Sequence, residues 1–333
     1  MATRSQANIY SVTLNPALDL SGHVQTIIPN EKNSVSRPRL DPGGNAINAA
    51  RIAKRLGHDP VLMGFLGGAA GNQLSELLDQ EGVRHRFTPI SGITRTNVTV
   101  TNDSSHEQTR LSFPGPVIKP TETRALVQFI SKLRYPGVLV LGGSMPPGCP
   151  KNYYSVLIRR GVERGLGIVL DVPSKDLKEV LEKSGPRLLL IKPNRIELEG
   201  FAGKKLATDA AISEEAIRLS RRSALVCVSL GSKGALAAAQ GKSWRIYPPK
   251  VRAKGTVGAG DSMVGAITAC LLQRGIFSPE LCDLAPSGWI VDALRWGAAA
   301  GAATAATEGT SLGTADLIRR LRPQVRVEPL FRS

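Results

Sequence analysis

The chain has 333 residues, 42% of them apolar and 21% charged, enough to bury a sizeable core in one large domain or two. Its 43 Lys and Arg against 27 Asp and Glu give a formal charge of +16. Four cysteines (Cys149, Cys227, Cys270, Cys282) without a CxxC pair or a nearby histidine cluster argue against structural zinc and suit a reducing cytosol.

No apolar leader follows Met1, so a cytoplasmic protein is expected. In chain order, 9–14 reads as a strand, 46–56 as an amphipathic helix stopped by Gly57, 61–65 as a strand, and 71–80 as a helix ending near Gly82. Strands are then expected at 138–141, 168–171, 188–191, 225–230, 235–239 and 244–247, with helices at 151–164, 261–273 and 287–306. Short apolar strands alternating with helices predict an α/β protein with a mostly parallel sheet covered on both faces. The Ala/Gly-rich stretch 297–307 is too short and too weakly apolar to cross a bilayer, so no membrane contact is expected.

Two segments break this rhythm. The stretch 20–41 alternates apolar and polar residues without a helix, and 84–113 contains the β-branched run Thr96-Asn-Val-Thr-Val-Thr101. They predict a small accessory sheet, placed as a lid on a single domain spanning 1–333. Lid strands with β-branched faces suit pairing between two subunits, so a homodimer through the lid is expected. The chain closes with a basic tail, 322–333, and the stretch from Arg319 to Arg332, its most basic part, is expected to be partly disordered.

The basic residues are scattered as singles and pairs (Arg159-Arg160, Arg221-Arg222, Arg319-Arg320) without interleaved aromatics. That pattern reads as a solvated surface rather than a nucleic-acid footprint. The charge of +16 still keeps one distant alternative, a non-catalytic nucleic-acid-binding protein, which would need a clustered basic face and no catalytic carboxylate.

The most informative stretch is Thr256-Val-Gly-Ala-Gly-Asp-Ser-Met-Val-Gly-Ala266. Gly258, Ala259 and Gly260 allow a tight turn that exposes backbone N–H groups, and the helix behind them adds its own unpaired ones, which makes an anion pocket. Asp261 would repel an anion there unless it removes a proton from an attacking hydroxyl, although a helix-capping Asp is the plain alternative. A second Gly-rich turn, Asp41-Pro-Gly-Gly-Asn-Ala-Ile-Asn48, opens another helix; Gly43 and Gly44 permit close backbone approach, and Asn48 either bonds a polyol hydroxyl or faces solvent. Asp19 follows the first strand, where a carboxylate could grip sugar hydroxyls or simply form a turn.

Lys192-Pro-Asn-Arg-Ile-Glu197 offers Lys192 for nucleotide phosphate and Asn194 and Glu197 as oxygen ligands for hydrated Mg²⁺; it also fits an Asn-x-x-Glu capping box. The turn Val228-Ser-Leu-Gly-Ser-Lys-Gly234 either meets a nucleotide or only joins two strands. Arg95, Lys32 and Arg37 are the lid cations a phosphorylated substrate would need. No Walker A sequence and no GxGxxG after the first strand are present, and no Ser has a nucleophile-elbow context.

Taken together and in this order, these motifs resemble the ribokinase-like (PfkB) carbohydrate kinase family over about 9–321. The resemblance rests on Gly43-Gly-Asn-Ala-Ile-Asn-Ala-Ala-Arg-Ile-Ala-Lys-Arg-Leu-Gly57, on the Thr256 stretch and on Lys192-Pro-Asn-x-x-Glu197. Thr13-Leu-Asn-Pro-Ala-Leu-Asp19, Thr94-Arg95-x-Asn97 and Gly143-Ser-Met-Pro-Pro-Gly148 resemble its phosphosugar-kinase branch. The resemblance implies a three-layer α/β/α sandwich with a β lid and an ATP- and Mg²⁺-dependent kinase of fructose 6-phosphate, with fructose 1-phosphate or tagatose 6-phosphate as alternative acceptors.

It further implies Asp261 as base, Gly258, Ala259 and Gly260 as the oxyanion pocket, and Asp19, Gly43, Gly44 and Asn48 on the sugar. Lys32, Arg95 and Ser144 would lie near the substrate phosphate; Ser229, Gly231, Gly234 and Thr256 near the nucleotide; Lys192, Asn194 and Glu197 at the phosphate–Mg²⁺ end. Asn45-Ala46 replaces two glycines common in this branch, Gly255 replaces a Ser, and Thr307-Glu-Gly-Thr-Ser311 departs from the usual cation loop, so K⁺ activation is left as an option.

Overall fold

The computed structural model describes residues 7–105, 107–182 and 185–330, so residues 1–6, His106, residues 183–184 and the last three residues of the basic tail lie outside it. The first third contains β1 (Asn8–Thr13), β2 (Ala17–Val24), β3 (Ser36–Gly43), α1 (Asn45–Arg55), β4 (Val61–Leu66), α2 (Gly68–Gln80), β5 (Arg84–His85), β6 (Thr88–Pro89), β7 (Arg95–Asn102) and β8 (Gln108–Leu111). The middle adds α3 (Pro120–Ile130), β9 (Gly137–Gly142), α4 (Tyr153–Glu163), β10 (Gly167–Asp171), α5 (Ser174–Glu182), β11 (Leu188–Ile191), α6 (Arg195–Ala202), α7 (Asp209–Leu219) and β12 (Ser223–Ser229). The chain closes with β13 (Ala235–Ala239), β14 (Lys242–Tyr247), α8 (Ala259–Gln273), α9 (Pro279–Leu284), α10 (Ser287–Ala305), α11 (Ala315–Leu321) and β15 (Arg326–Leu330).

The main sheet runs β15-β14-β13-β12-β11-β10-β9-β1-β4-β5. It is parallel from β12 to β5, and its β13–β15 edge is antiparallel. Successive side chains of a strand face opposite ways, so each apolar strand feeds two cores. Val138 and Val140 pack with α1, α8 and α10, whereas Leu139 and Leu141 pack with α3, α4 and α5. This is the expected three-layer α/β/α arrangement with a mostly parallel sheet. The Ala/Gly-rich stretch belongs to α10, where Gly297 lets the helix close onto Ile267 and Met263 of α8. Among the described residues no helix is long and apolar enough to cross a membrane.

A separate four-stranded sheet, β3-β2-β7-β8, stands where the lid is expected. Its register places Leu40, Leu20, Val98 and Leu111 in one row across the strands. Asp41, Asp19 and Asn97 form the neighbouring row on the opposite face, followed by Arg39, Ser21, Thr99 and Arg110. One face is therefore apolar and the other polar.

Two expectations need correction. The lid segment expected at 84–113 begins later, because Arg84–His85 and Thr88–Pro89 pair in parallel with β4. Val83 and Phe87 pack against Leu62, Leu74 and Leu78, which holds this stretch to the main body until the turn before Arg95. The basic tail is not disordered over Arg326–Leu330: it pairs antiparallel with β14. Val327 and Leu330 pack onto the two cores, one on each face of the sheet, while Arg326 is exposed and lies over the Tyr247 ring.

Candidate active site

The carboxyl ends of the parallel strands converge at Thr13, Gly142, Asp171, Ile191 and Ser229, the edge where open α/β sheets hold ligands. Above them α8 starts from Gly258, whose φ of 73° is a left-handed conformation that favours glycine. Asp261 lies in the first turn of this helix and accepts a 2.9 Å hydrogen bond from Nδ2 of Asn48 in the first turn of α1. The two helices can approach because Gly265 lies directly on the Ala49 carbonyl, where a Cβ would overlap.

Burial pushes the Asp261 carboxyl up to about 6, reinforced by Asp171 and Asp19 and opposed by the Asn48 hydrogen bond and the Lys192 charge. Lys192 is buried and ion-paired to Asp171 at 3.1 Å. Burial pulls its ammonium downward, but Asp171, Glu197 and Asp261 outweigh that and hold it above the usual lysine value. It also faces the glycine-rich turn, since a Cβ on Gly260 would lie 3.3 Å from its Nζ.

A cleft of about 190 Å³ is lined by Thr13, Asn15, Gly44, Asn45, Arg95, Gly143, Ser144, Val172, Pro173 and Glu197. Arg95 is anchored at its rim by bonds to the Phe113 carbonyl at 3.0 Å and the Asn15 carbonyl at 2.8 Å. Its Nε, the Thr13 hydroxyl and Asn15 Oδ1 are buried without a partner among the described residues. Buried polar atoms left unpaired cost free energy, which marks this cleft as built for a polar ligand. Ser144 accepts from Asn15 Nδ2 at 3.2 Å.

Asp19 lies in β2 rather than in a simple turn, and it accepts from Asn97 Nδ2 at 3.0 Å. Burial raises its carboxyl to about 6 despite that bond and the Arg95 charge. Gly43 lies against this carboxylate so tightly that a Cβ would overlap it. Lys32 and Arg37 do not join the group. Lys32 is exposed in the connection between β2 and β3, and Arg37 bonds Asp103 at 2.7 Å.

On the other side of Lys192, an isolated parallel bridge joins Asn194 to Ser229 and brings the two loops beside each other. The capping box is present: Glu197 N–H donates to Asn194 Oδ1 at 2.9 Å, and Asn194 N–H donates to Glu197 Oε2 at 2.8 Å. Glu197 Oε1 makes no hydrogen bond among the described residues. With the Asp171 carboxylate nearby, this donor set suits Mg²⁺, which keeps several waters and takes one or two carboxylates plus phosphate oxygens. Gly231 has open space where a side chain would be, whereas Gly234 packs on the Ile246 carbonyl and serves the turn into β13. Thr256 accepts from Arg110 of the lid at 2.9 Å.

Asp171, Thr13, Asn15, Asn97 and Arg110 join the site without having been singled out individually. Asp171 carried a readable signal, a charged residue closing the buried apolar strand Gly167–Asp171. Thr13, Asn15 and Asn97 lie within the quoted motifs 13–19 and 94–97 without a role of their own there, and Arg110 is brought in by the register of the small sheet.

The model of the pfkB family carbohydrate kinases matches residues 12–316. ATP-dependent 6-phosphofructokinase isozyme 2 of Escherichia coli is 32% identical over 310 residues, covering 92% of this chain and 96% of that protein. The 1-phosphofructokinase of the same organism is 35% identical over 268 residues, covering 80% of this chain and 85% of that protein. The crystal structure of Escherichia coli phosphofructokinase-2 in complex with substrates and products superposes with a TM-score of 0.88 at 31% identity, covering 96% of this chain and 99% of that one. Matched by the family model over residues 12–316 and by relatives above 30% identity over most of its length, the chain belongs to the pfkB family of carbohydrate kinases.

Proposed function

We propose that this enzyme transfers the γ-phosphoryl group of MgATP to the 1-hydroxyl of fructose 6-phosphate, with Asp261 as the general base. The observation that carries the reading is the Asp261–Asn48 pair at the start of α8, next to a sugar-sized cleft that has Arg95 at its rim. Arg95 holds the existing phosphate, and Asp19 and Asn48 orient the sugar. The acceptor hydroxyl loses its proton to Asp261 while its oxygen attacks phosphorus. Charge on the phosphoryl oxygens is met by the N–H groups of Gly258, Ala259 and Gly260. Lys192, Asn194, Ser229, Gly231 and Thr256 flank the nucleotide, and Mg²⁺ is held through Glu197.

The 35% identity to a 1-phosphofructokinase supports a second reading, in which fructose 1-phosphate or tagatose 6-phosphate is the acceptor. Comparing kcat/KM for the three sugar phosphates separates them. A preference of tenfold or more for either rival over fructose 6-phosphate overturns the first reading.

The apolar lid row of Leu40, Leu20, Val98 and Leu111 supports a homodimer through the lid, since Leu111 is 52% exposed in the single chain. A monomer in sedimentation at micromolar concentration overturns that assignment. The four free cysteines favour action in the cytoplasm. K⁺ fits as an activator bound by main-chain carbonyls of the 255 and 307–311 loops, a role that kinetics with K⁺ replaced by tetramethylammonium tests.

A further inference from the structure

Arg110 is an unspent cation on the lid. It belongs to the polar row Arg39, Ser21, Thr99, Arg110, whose Ser21 lies on the loop at Gly309: a Cβ there would be 3.0 Å from Ser21 Oγ. From the end of that row its guanidinium reaches Thr256 Oγ1 at 2.9 Å, two residues before Gly258, and Gln108 Oε1 at 3.2 Å. Both partners are neutral oxygens. Arg110 is exposed, and among the described residues it makes no ion pair, although a guanidinium has five donors in a fork that matches phosphate.

The loop that begins at Thr256 leads to Asp261, and the field there is short of cations. Asp171, Asp261 and Glu197 face one ammonium, Lys192, which is itself paired to Asp171. A triphosphate entering this field adds more negative charge. Mg²⁺ would offset part of it from the Glu197 side; of the lid cations, Arg95 is held at the cleft rim by the Phe113 and Asn15 carbonyls, and Arg110 is the one bonded beside the loop at Thr256.

We propose that Arg110 is a catalytic residue, a lid-borne guanidinium that leaves Thr256 for the γ-phosphoryl oxygens and stabilises the charge on them during transfer. The inference rests on the kinase reading above. In the step it serves, the acceptor oxygen bonds the γ-phosphorus, and the bond from that phosphorus to the β–γ bridging oxygen breaks. The electron pair leaves with ADP, and the hydroxyl proton goes to Asp261. Arg110 forms no covalent bond. Because it shares a sheet with Asp19 and Asn97, one rigid element brings the sugar contacts and the phosphate contact together.

The test compares R110A and R110K with the wild type, each checked for an unchanged melting temperature. In R110A, kcat falls by about 10²–10³, as for loss of one transition-state donor, while KM for the sugar phosphate stays within about threefold. R110K recovers part of the loss, and added guanidinium ion rescues R110A but not the wild type. Calorimetry without sugar gives a second readout: the wild type binds ATP more tightly than ADP, and R110A loses most of that preference. A kcat within threefold of wild type, or a raised sugar KM with kcat intact, makes Arg110 a structural latch on Thr256 and overturns the proposal. Failure of the substrate reading looks different: the wild type then turns over none of the sugar phosphates, whatever R110A does to the ATP preference.

Discussion

Asn48 Nδ2 and Asp261 Oδ2 meet at 2.9 Å across 213 positions of sequence, joining the first turns of α1 and α8. One helix opens from the Gly43–Gly44 turn beside the Arg95 cleft and the other from the glycine-rich turn at Gly258. The hydrogen bond fixes the direction of the carboxylate between them and moderates the rise in its pKa.

Replacing Asp261 by Asn keeps the shape and the Asn48 contact but removes the base, so kcat should fall by about 10²–10⁴ in a steady-state assay. The same change should raise the melting temperature above pH 6. The native carboxyl titrates near 6 against an ordinary value of 3.8, so the folded state binds more protons between those values and loses stability as pH rises through them. The gain from D261N should therefore be complete above pH 6.5 and vanish near pH 3.5. Near-normal turnover in a folded variant would remove Asp261 from the chemistry.

Asp19 and Asp261 both titrate near 6, and both must be ionised for the proposed roles. The logarithm of kcat/KM should bend downward below about pH 6, with a slope that steepens toward two. N48A removes the hydrogen bond that lowers the Asp261 value and should move the acid limb of kcat upward by at least half a pH unit. A limb that stays in place in N48A would show that Asp261 does not govern it.

Arg95 stands at the cleft rim with its guanidinium pre-positioned by two carbonyls. R95A should raise KM for the sugar phosphate by about 10- to 100-fold, the range for losing a charge-assisted hydrogen bond of roughly 1.5–3 kcal/mol. Unphosphorylated fructose should be turned over no worse than by the wild type. An equal loss for both sugars would place the phosphate elsewhere.

Gly265 has no room for a side chain, because the Ala49 carbonyl occupies that space. G265A should separate α1 from α8 and destabilise the fold by about 1–3 kcal/mol, the usual penalty for overpacking, read as a lowered denaturation midpoint. Because the shift also pulls Asn48 from Asp261, kcat should fall in material that is still folded. Unchanged kcat and unchanged stability together would show that the helix contact does not set the site.

Much of the site was local enough to read from the chain. Residues 256–261 form a loop and a helix start from their own glycines, and 192–197 make a capping box from their own spacing. Local patterns of this kind need no distant partner, which is also why the strands 188–191 and 235–239 were placed with their observed bounds. Several helices were not placed from the sequence, among them α3, α5, α7 and α11. These segments hold their shape by packing on the sheet and by end caps, such as Thr208 on the Ala211 N–H and Thr314 on the Leu317 N–H.

What the amino-acid order determined by itself was the class of fold, the glycine-rich turn and the identity of the carboxylate beside it, because these follow from spacing within a few residues. What only the folded chain decided was partnership. The register of the small sheet put Asn97 on Asp19 and aimed Arg110 at Thr256, and the stacking of parallel strands put Asp171 on Lys192. The basic C-terminal run became an edge strand for the same reason. Register and stacking are settled by burying apolar faces far apart in sequence, so no local pattern of residues carries them.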